Sequence, residues 1–447
     1  MIEIVSLLVC LYPSLSHKTV GQLNCIVLAI LAMTGRVTMR GISRWSGAGG
    51  SYRTVQRFFS TVIPWGTLFW LFFRTHLYQA ADVYLMAGDE CVVTKSGKCT
   101  HGLDRFFSSL YGKTVPGLAF FALSLVSTKE RRSYPIRIQQ VVKSDAEKAA
   151  AQANKKKAQK RNADTPKRKP GRPKGSKSKD KTQVILTQEL TRIGNMVSDL
   201  LALVGTFLPL TYLVLDGHFG NNNALQMTRQ CALQIISKLR SDAALYFGYQ
   251  GPYAGRGPRR KYGSRLKPYD IPSKYLRQVS VRDGIETRVY QAQMLHKEFA
   301  QPLNVVVIVK TLLRNGRKAH VLLFSSDLAI SWDKLIDYYS LRFQLEFNFR
   351  DAKQYWGLED FMNVTQTTVT NAANLALFMV NLSARLVRDF RLIHPLFSVL
   401  DLKAHCRGAK YVDEVIKLLP QKPVVSPICL DEILSKTSPI YCVITSN

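Results

Sequence analysis

The chain has 447 residues, 46% of them apolar, and carries 62 Lys/Arg against 31 Asp/Glu for a formal charge of +31. That length supports two or three domains with a sizeable core, and the apolar share excludes a wholly disordered polycation. The one-sided charge favours a polyanionic partner, most often nucleic acid. Eight cysteines are scattered without a C-x-x-C or zinc-type Cys/His spacing, which predicts reduced thiols and a cytoplasmic protein. The apolar N-terminus lacks the basic start of a signal peptide. The apolar run from Cys25 to Thr34 falls well short of the roughly 20 residues of a membrane span, so no membrane partner is expected.

In chain order, residues 1–80 pattern as helices. Within them Arg40 to Ser60 holds two short amphipathic pieces joined by a Gly/Ser turn, a candidate helix-turn-helix. Its second piece sets Arg53 and Arg57 at helical spacing beside Val55, Phe58 and Phe59, so that one face could meet DNA while the other packs; an ordinary helical hairpin would look the same. Three β-prone runs follow, 82–93, 117–126 and 134–142, read as successive strands of one sheet.

Residues 143–181 then bring 15 Lys/Arg against 4 Asp/Glu, the composition of a disordered insert. Its "KPGRPK", with Arg172 and Lys174, resembles an AT-hook, in which prolines keep the backbone extended and arginine enters the narrow A·T minor groove; the alternative is a solvated basic linker. Without the insert the chain still carries +20, so the basic character is not confined to it.

A helix from Gln183 to about Val204, a strand at 210–217, a helix at 223–240 and a strand in "AALYFGY" complete the order of an α/β, ribonuclease H-like core. Residues 248–330 read as an inserted β-rich subdomain with a basic loop, 331–385 as the rest of the core, and 386–447 as a C-terminal helical region suited to dimerisation.

Phosphodiester chemistry at neutral pH commonly uses divalent ions held by hard oxygen ligands. Asp89 after "VYLMAG" and Asp216 after "TYLVL" each end an apolar strand, where an unpartnered carboxylate is costly, although such a residue often only caps a turn. A third carboxylate lies in "YYSLRFQLEFNFRDAK", residues 338–353. On a uniform helix Tyr339, Arg342, Glu346, Arg350 and Lys353 share an arc of roughly 80°, beside an apolar stripe of Leu341, Leu345, Phe349, Ala352 and Trp356. The polar stripe could be a plain salt-bridge face.

Taken together these residues resemble the bacterial insertion-sequence transposases that carry an Asp-Asp-Glu triad and a Tyr-x2-Arg-x3-Glu-x6-Lys signature, matched without a gap by Tyr339, Arg342, Glu346 and Lys353. "GDECVVTKSGKCTHGLDRFFS", "LVLDGHFGNN" and "NAANLALFMVNLSARL" are similar to the family's two Asp regions and to the helix after its signature. The resemblance implies that Asp89, Asp216 and Glu346 bind Mg²⁺ or Mn²⁺ and cleave and join DNA, that Tyr339, Arg342 and Lys353 grip it, and that two ends meet in a homodimer on the nucleoid. Arg350 is expected as a further phosphate contact. Trp332 is a candidate for stacking a flipped base, against the plainer reading of a core tryptophan. Other readings are a non-catalytic A·T-rich DNA regulator derived from a transposase, or a nuclease on the same fold.

Overall fold

The computed structural model describes residues 4–108, 111–145, 147, 149, 180–253, 255 and 257–418. Arg172 and Lys174 of the basic segment, and residues 419–447 of the C-terminal region, lie outside the described residues.

The N-terminal part is helical: α1 (Ile4–Leu8), α2 (His17–Ala32), α3 (Met39–Trp45), α4 (Tyr52–Ser60) and α5 (Trp65–Phe72). Thr38 and Ser51 accept backbone N–H bonds at the starts of α3 and α4, which fixes where the two short helices begin. Val55, Phe58 and Phe59 are buried, while Arg53 and Arg57 stand exposed on the other side of α4.

These helices are docked firmly on the rest of the chain. Asn371, in α10 (Gln366–Arg391), accepts from Trp65 Nε1 at 2.8 Å and donates to the carbonyls of Phe59 and Thr61 at 2.7 Å each. The Val37 N–H donates to Asp360 at 3.0 Å, and Arg36 pairs with the same carboxylate at 3.5 Å. From α11 (Val399–Leu418), Lys403 and Arg407 donate to the Ile30 and Ala32 carbonyls at the end of α2. Gly357 lies against Val37 with φ +81°, and a Cβ there would come within 2.3 Å of the Val37 Cβ. Backbone strain and overlap act together, so Gly357→Ala is expected to cost at least about 2 kcal/mol, read as a lowered urea midpoint. A midpoint equal to wild type would show that this contact gives way freely.

The remainder is a mixed α/β structure on one sheet of 12 strands. β1 (Tyr84–Thr94) pairs antiparallel with β3 (Lys113–Ser127), whose outer edge carries β2 (Asp104–Ser108) and β4 (Arg132–Val141). On its other side β1 runs parallel to β5 (Tyr212–Val214), and β5 parallel to β6 (Gln234–Leu239). β1 and β3 are buried along most of their length, as their unbroken apolar runs predict. Helices α6 (Gln188–Val204) and α7 (Asn222–Gln230) join β4 to β5 and β5 to β6.

Two expectations change here. The helix expected over 223–240 ends at Gln230, and residues 234–239 form β6. Ala232 adopts φ +57°, which breaks the helix, and Ile235, Ile236 and Leu239 are buried in the sheet. "CALQIISKL" fits either period, and pairing with β5 decides it. Consequently "AALYFGY" is not the next strand of this series: β7 (Leu245–Gly248) pairs with β10 (Ile285–His296) and with β8 (Tyr262–Arg265).

The strands within 248–330 also do not close on themselves. β12 (Lys318–Ser325) pairs with β6, so that β12, β11 (Leu303–Leu312) and β10 extend the same sheet, with β9 (Leu276–Arg282) on β10 beyond them. Among the described residues no helix is long and apolar enough to cross a membrane.

Candidate active site

The parallel pairing of β1 with β5 matches Met86 to Leu213 and Ala87 to Val214. Two residues beyond the last pair on each strand come Asp89 and Asp216, so the register sets the two carboxylates side by side where the strands part. Asp89 therefore sits in the middle of β1 and not at its end; the strand continues along β3 to Thr94 while the ladder to β5 stops. Asp216 accepts the His218 N–H at 3.1 Å, and its carbonyl accepts from Ser237 at 2.6 Å.

The signature stretch is not one uniform helix. α8 (Trp332–Leu341) ends, and α9 (Gln344–Gln354) begins, across a tight turn in which the N–H groups of Arg342, Phe343, Leu345 and Glu346 each bond three residues back. This turn rotates Glu346 relative to the arc drawn for a straight helix. Leu341, Leu345, Phe349, Ala352 and Trp356 are all buried, as the apolar stripe predicts.

Arg342, at the turn, links the carboxylates. Its Nη1 donates to Asp89 Oδ2 at 2.5 Å and its Nη2 lies 3.6 Å from Glu346 Oε1, while its buried Nε has no partner. Burial pushes the Asp89 carboxyl above its ordinary range; Arg342 opposes this, and the charges of Asp216 and Glu346 add to it. Tyr339 faces the same space: burial raises its hydroxyl, Arg342 lowers it, and the charges of Asp216 and Asp89 raise it. Lys353 donates to the Val92 carbonyl on β1 at 2.8 Å and pairs with Glu359 at 3.1 Å. Asp89, Asp216, Glu346, Tyr339 and Arg342 thus converge, with Lys353 of α9 bonded further along β1, at Val92.

Other expected residues lie elsewhere. Arg350 turns outward, paired with Asp351 at 2.9 Å and stacked on Phe347. Trp332 opens α8 half-buried against the core, the setting of a core tryptophan. His218 pairs with Glu189 at 3.5 Å, which raises the imidazole above its usual value.

Some partners had little or no sequence signal. Glu359, which holds Lys353, is one. Lys95 is another: it donates to the Glu359 and Phe361 carbonyls, lies 3.7 Å from the Phe361 ring, and is pushed by burial down to about 8. Asn371 is a third, one of several polar residues in the Gln/Thr-rich first turns of α10.

Among the described residues no three His, Cys, Asp or Glu side chains close on a common metal position as they stand. The Arg342 guanidinium lies between Asp89 and Glu346. The charges of Asp216 and Glu346 both act against that of Asp89, and carboxylates are the hard-oxygen donors that a divalent ion takes.

A strand-borne carboxylate pair joined by a helical glutamate defines a class of metal-type nuclease site. The family model described as DDE superfamily endonuclease matches residues 10–296, and the chain belongs to that superfamily. The match takes in Asp89 and Asp216 and ends before Glu346. Members typically use divalent metals and act on DNA. No curated protein matches the chain.

Proposed function

We propose that the protein is a DNA transposase of cut-and-paste type, cleaving the ends of its element and joining them to target DNA. The observation that carries this reading is the register that aligns Asp89 with Asp216, together with the ion pairs that tie Glu346 to the same place through Arg342. The strand order β4-β3-β1-β5-β6, with β5 and β6 parallel to β1, supports a ribonuclease H-like core.

In this reading Asp89, Asp216 and Glu346 hold Mg²⁺ or Mn²⁺, which when bound activates the attacking water or 3′-hydroxyl and stabilises the leaving oxygen. Arg342 offsets part of the charge of Asp89 and Glu346 before substrate arrives and then takes a phosphate, its unspent Nε providing a further donor. Tyr339 offers its hydroxyl on the same side, and Lys353 holds the backbone beside β1. Arg53 and Arg57 on α4 read the terminal repeats, Arg350 adds an outer phosphate contact, and Arg172 and Lys174 add affinity for A·T-rich DNA. Two copies bring two ends together.

The test is incubation with Mg²⁺, a duplex carrying the inverted repeats that flank the gene, and a target plasmid. Cleaved ends together with joined product are expected. Cleavage that never yields joined product would replace this reading with that of a nuclease.

A further inference from the structure

Far from the carboxylates, the end of the sheet carries an unusual surface. Residues 257–282 hold eight Lys/Arg and one acid, Asp270, and all eight cations are exposed. Among the described residues only Lys267 of these pairs with a carboxylate, at 3.9 Å from Asp270. Aromatic rings hold others in place: Arg260 lies 5.0 Å from the Tyr249 ring, Arg259 5.5 Å from Tyr253, and Lys274 5.1 Å from Tyr275. Tyr253 is itself fixed by a 2.8 Å bond to the Gly257 carbonyl. A ring orients a guanidinium without spending its N–H donors on a carboxylate, so these cations stay available to an external anion.

We infer that this Tyr/Arg ribbon, on the β7–β8 hairpin and the adjoining β9, is a clamp for the phosphate backbone of duplex DNA. The inference rests on the DNA-processing reading above and adds to it a place. The sheet order runs from β1 through β5, β6, β12, β11 and β10 to β7. Six steps of about 4.8 Å set β7 roughly 30 Å from β1 across the sheet, the length of about nine base pairs of duplex. The clamp grips DNA whose end lies at the carboxylates, independently of sequence.

The experiment measures binding of a fluorescein-labelled 30-base-pair duplex of arbitrary sequence between 50 and 300 mM NaCl, for wild type and Arg259→Ala/Arg260→Ala. Both residues are exposed, and an unchanged far-UV spectrum and melting point verify the fold. Each phosphate contact contributes about 0.9 to the slope of log K on log salt, so the double variant is expected to lose about 2 from the slope and 10-fold or more in affinity at low salt. Arg259→Lys/Arg260→Lys is expected to keep the slope. A double alanine variant with the wild-type slope overturns the clamp and leaves the nuclease reading intact. A wild type that binds no duplex overturns both.

Discussion

Glu346→Gln is expected to lower DNA cleavage in Mg²⁺ by about 10³-fold or more while leaving duplex affinity within about threefold. A divalent ion's contribution to transition-state charge is several kcal/mol, and about 4 kcal/mol corresponds to that factor. Glu346 is the cleanest of the three positions to test. Its side chain is 47% exposed and its contact with Arg342 is long, 3.6 Å, so the amide leaves the fold undisturbed. Asp89→Asn should lose activity equally but also strips Arg342 of its 2.5 Å partner, leaving a guanidinium that is only 15% exposed with weak compensation. Its melting point is therefore expected to move, and that of Glu346→Gln is not. Single-turnover cleavage with both variants, alongside thermal unfolding, checks the pair of statements. Cleavage by Glu346→Gln within tenfold of wild type would remove it from the active site.

Asn371→Leu is expected to cost about 3–5 kcal/mol, a loss seated at the N-terminal helices. The side chain is buried and makes three hydrogen bonds, and leucine of similar size orphans Trp65 Nε1 and the Phe59 and Thr61 carbonyls. Each unsatisfied group costs about 1–3 kcal/mol. Amide hydrogen exchange should show residues 52–60 losing protection while β1 and β3 keep theirs. Equal protection in both proteins would mean that α4 is held by packing alone. The consequence for function is direct, because Asn371 lies on the helix after the signature. The exposed arginines of α4 are thereby held on the same body as the carboxylates.

Much of the α/β core was legible from the residues. The apolar runs of β1 and β3 are strands buried on both faces along most of their length, and the basic excess needs no fold to be seen. The buried stripe Leu341–Leu345–Phe349–Ala352–Trp356 followed from helical period. The region 231–239 did not follow, since its apolar spacing satisfies helix and strand alike and only the edge of β5 chooses between them. The turn at Arg342 was hidden for a related reason: its residues are good helix formers, and its tightening shows only in the hydrogen bonds.

The sequence by itself determined which groups are present: two aspartates after apolar runs, a Tyr-Arg-Glu-Lys spacing, and charge far in excess of what solubility needs. It could not determine their neighbours, because contacts between residues some 130 positions apart are made by strand pairing and not by local pattern. The β1–β5 register put Asp89 beside Asp216, the turn between α8 and α9 put Arg342 between Asp89 and Glu346, and the β6–β12 pairing carried the basic ribbon to the far end of one sheet. Each depends on long-range backbone hydrogen bonds and burial, which act only once the chain has folded.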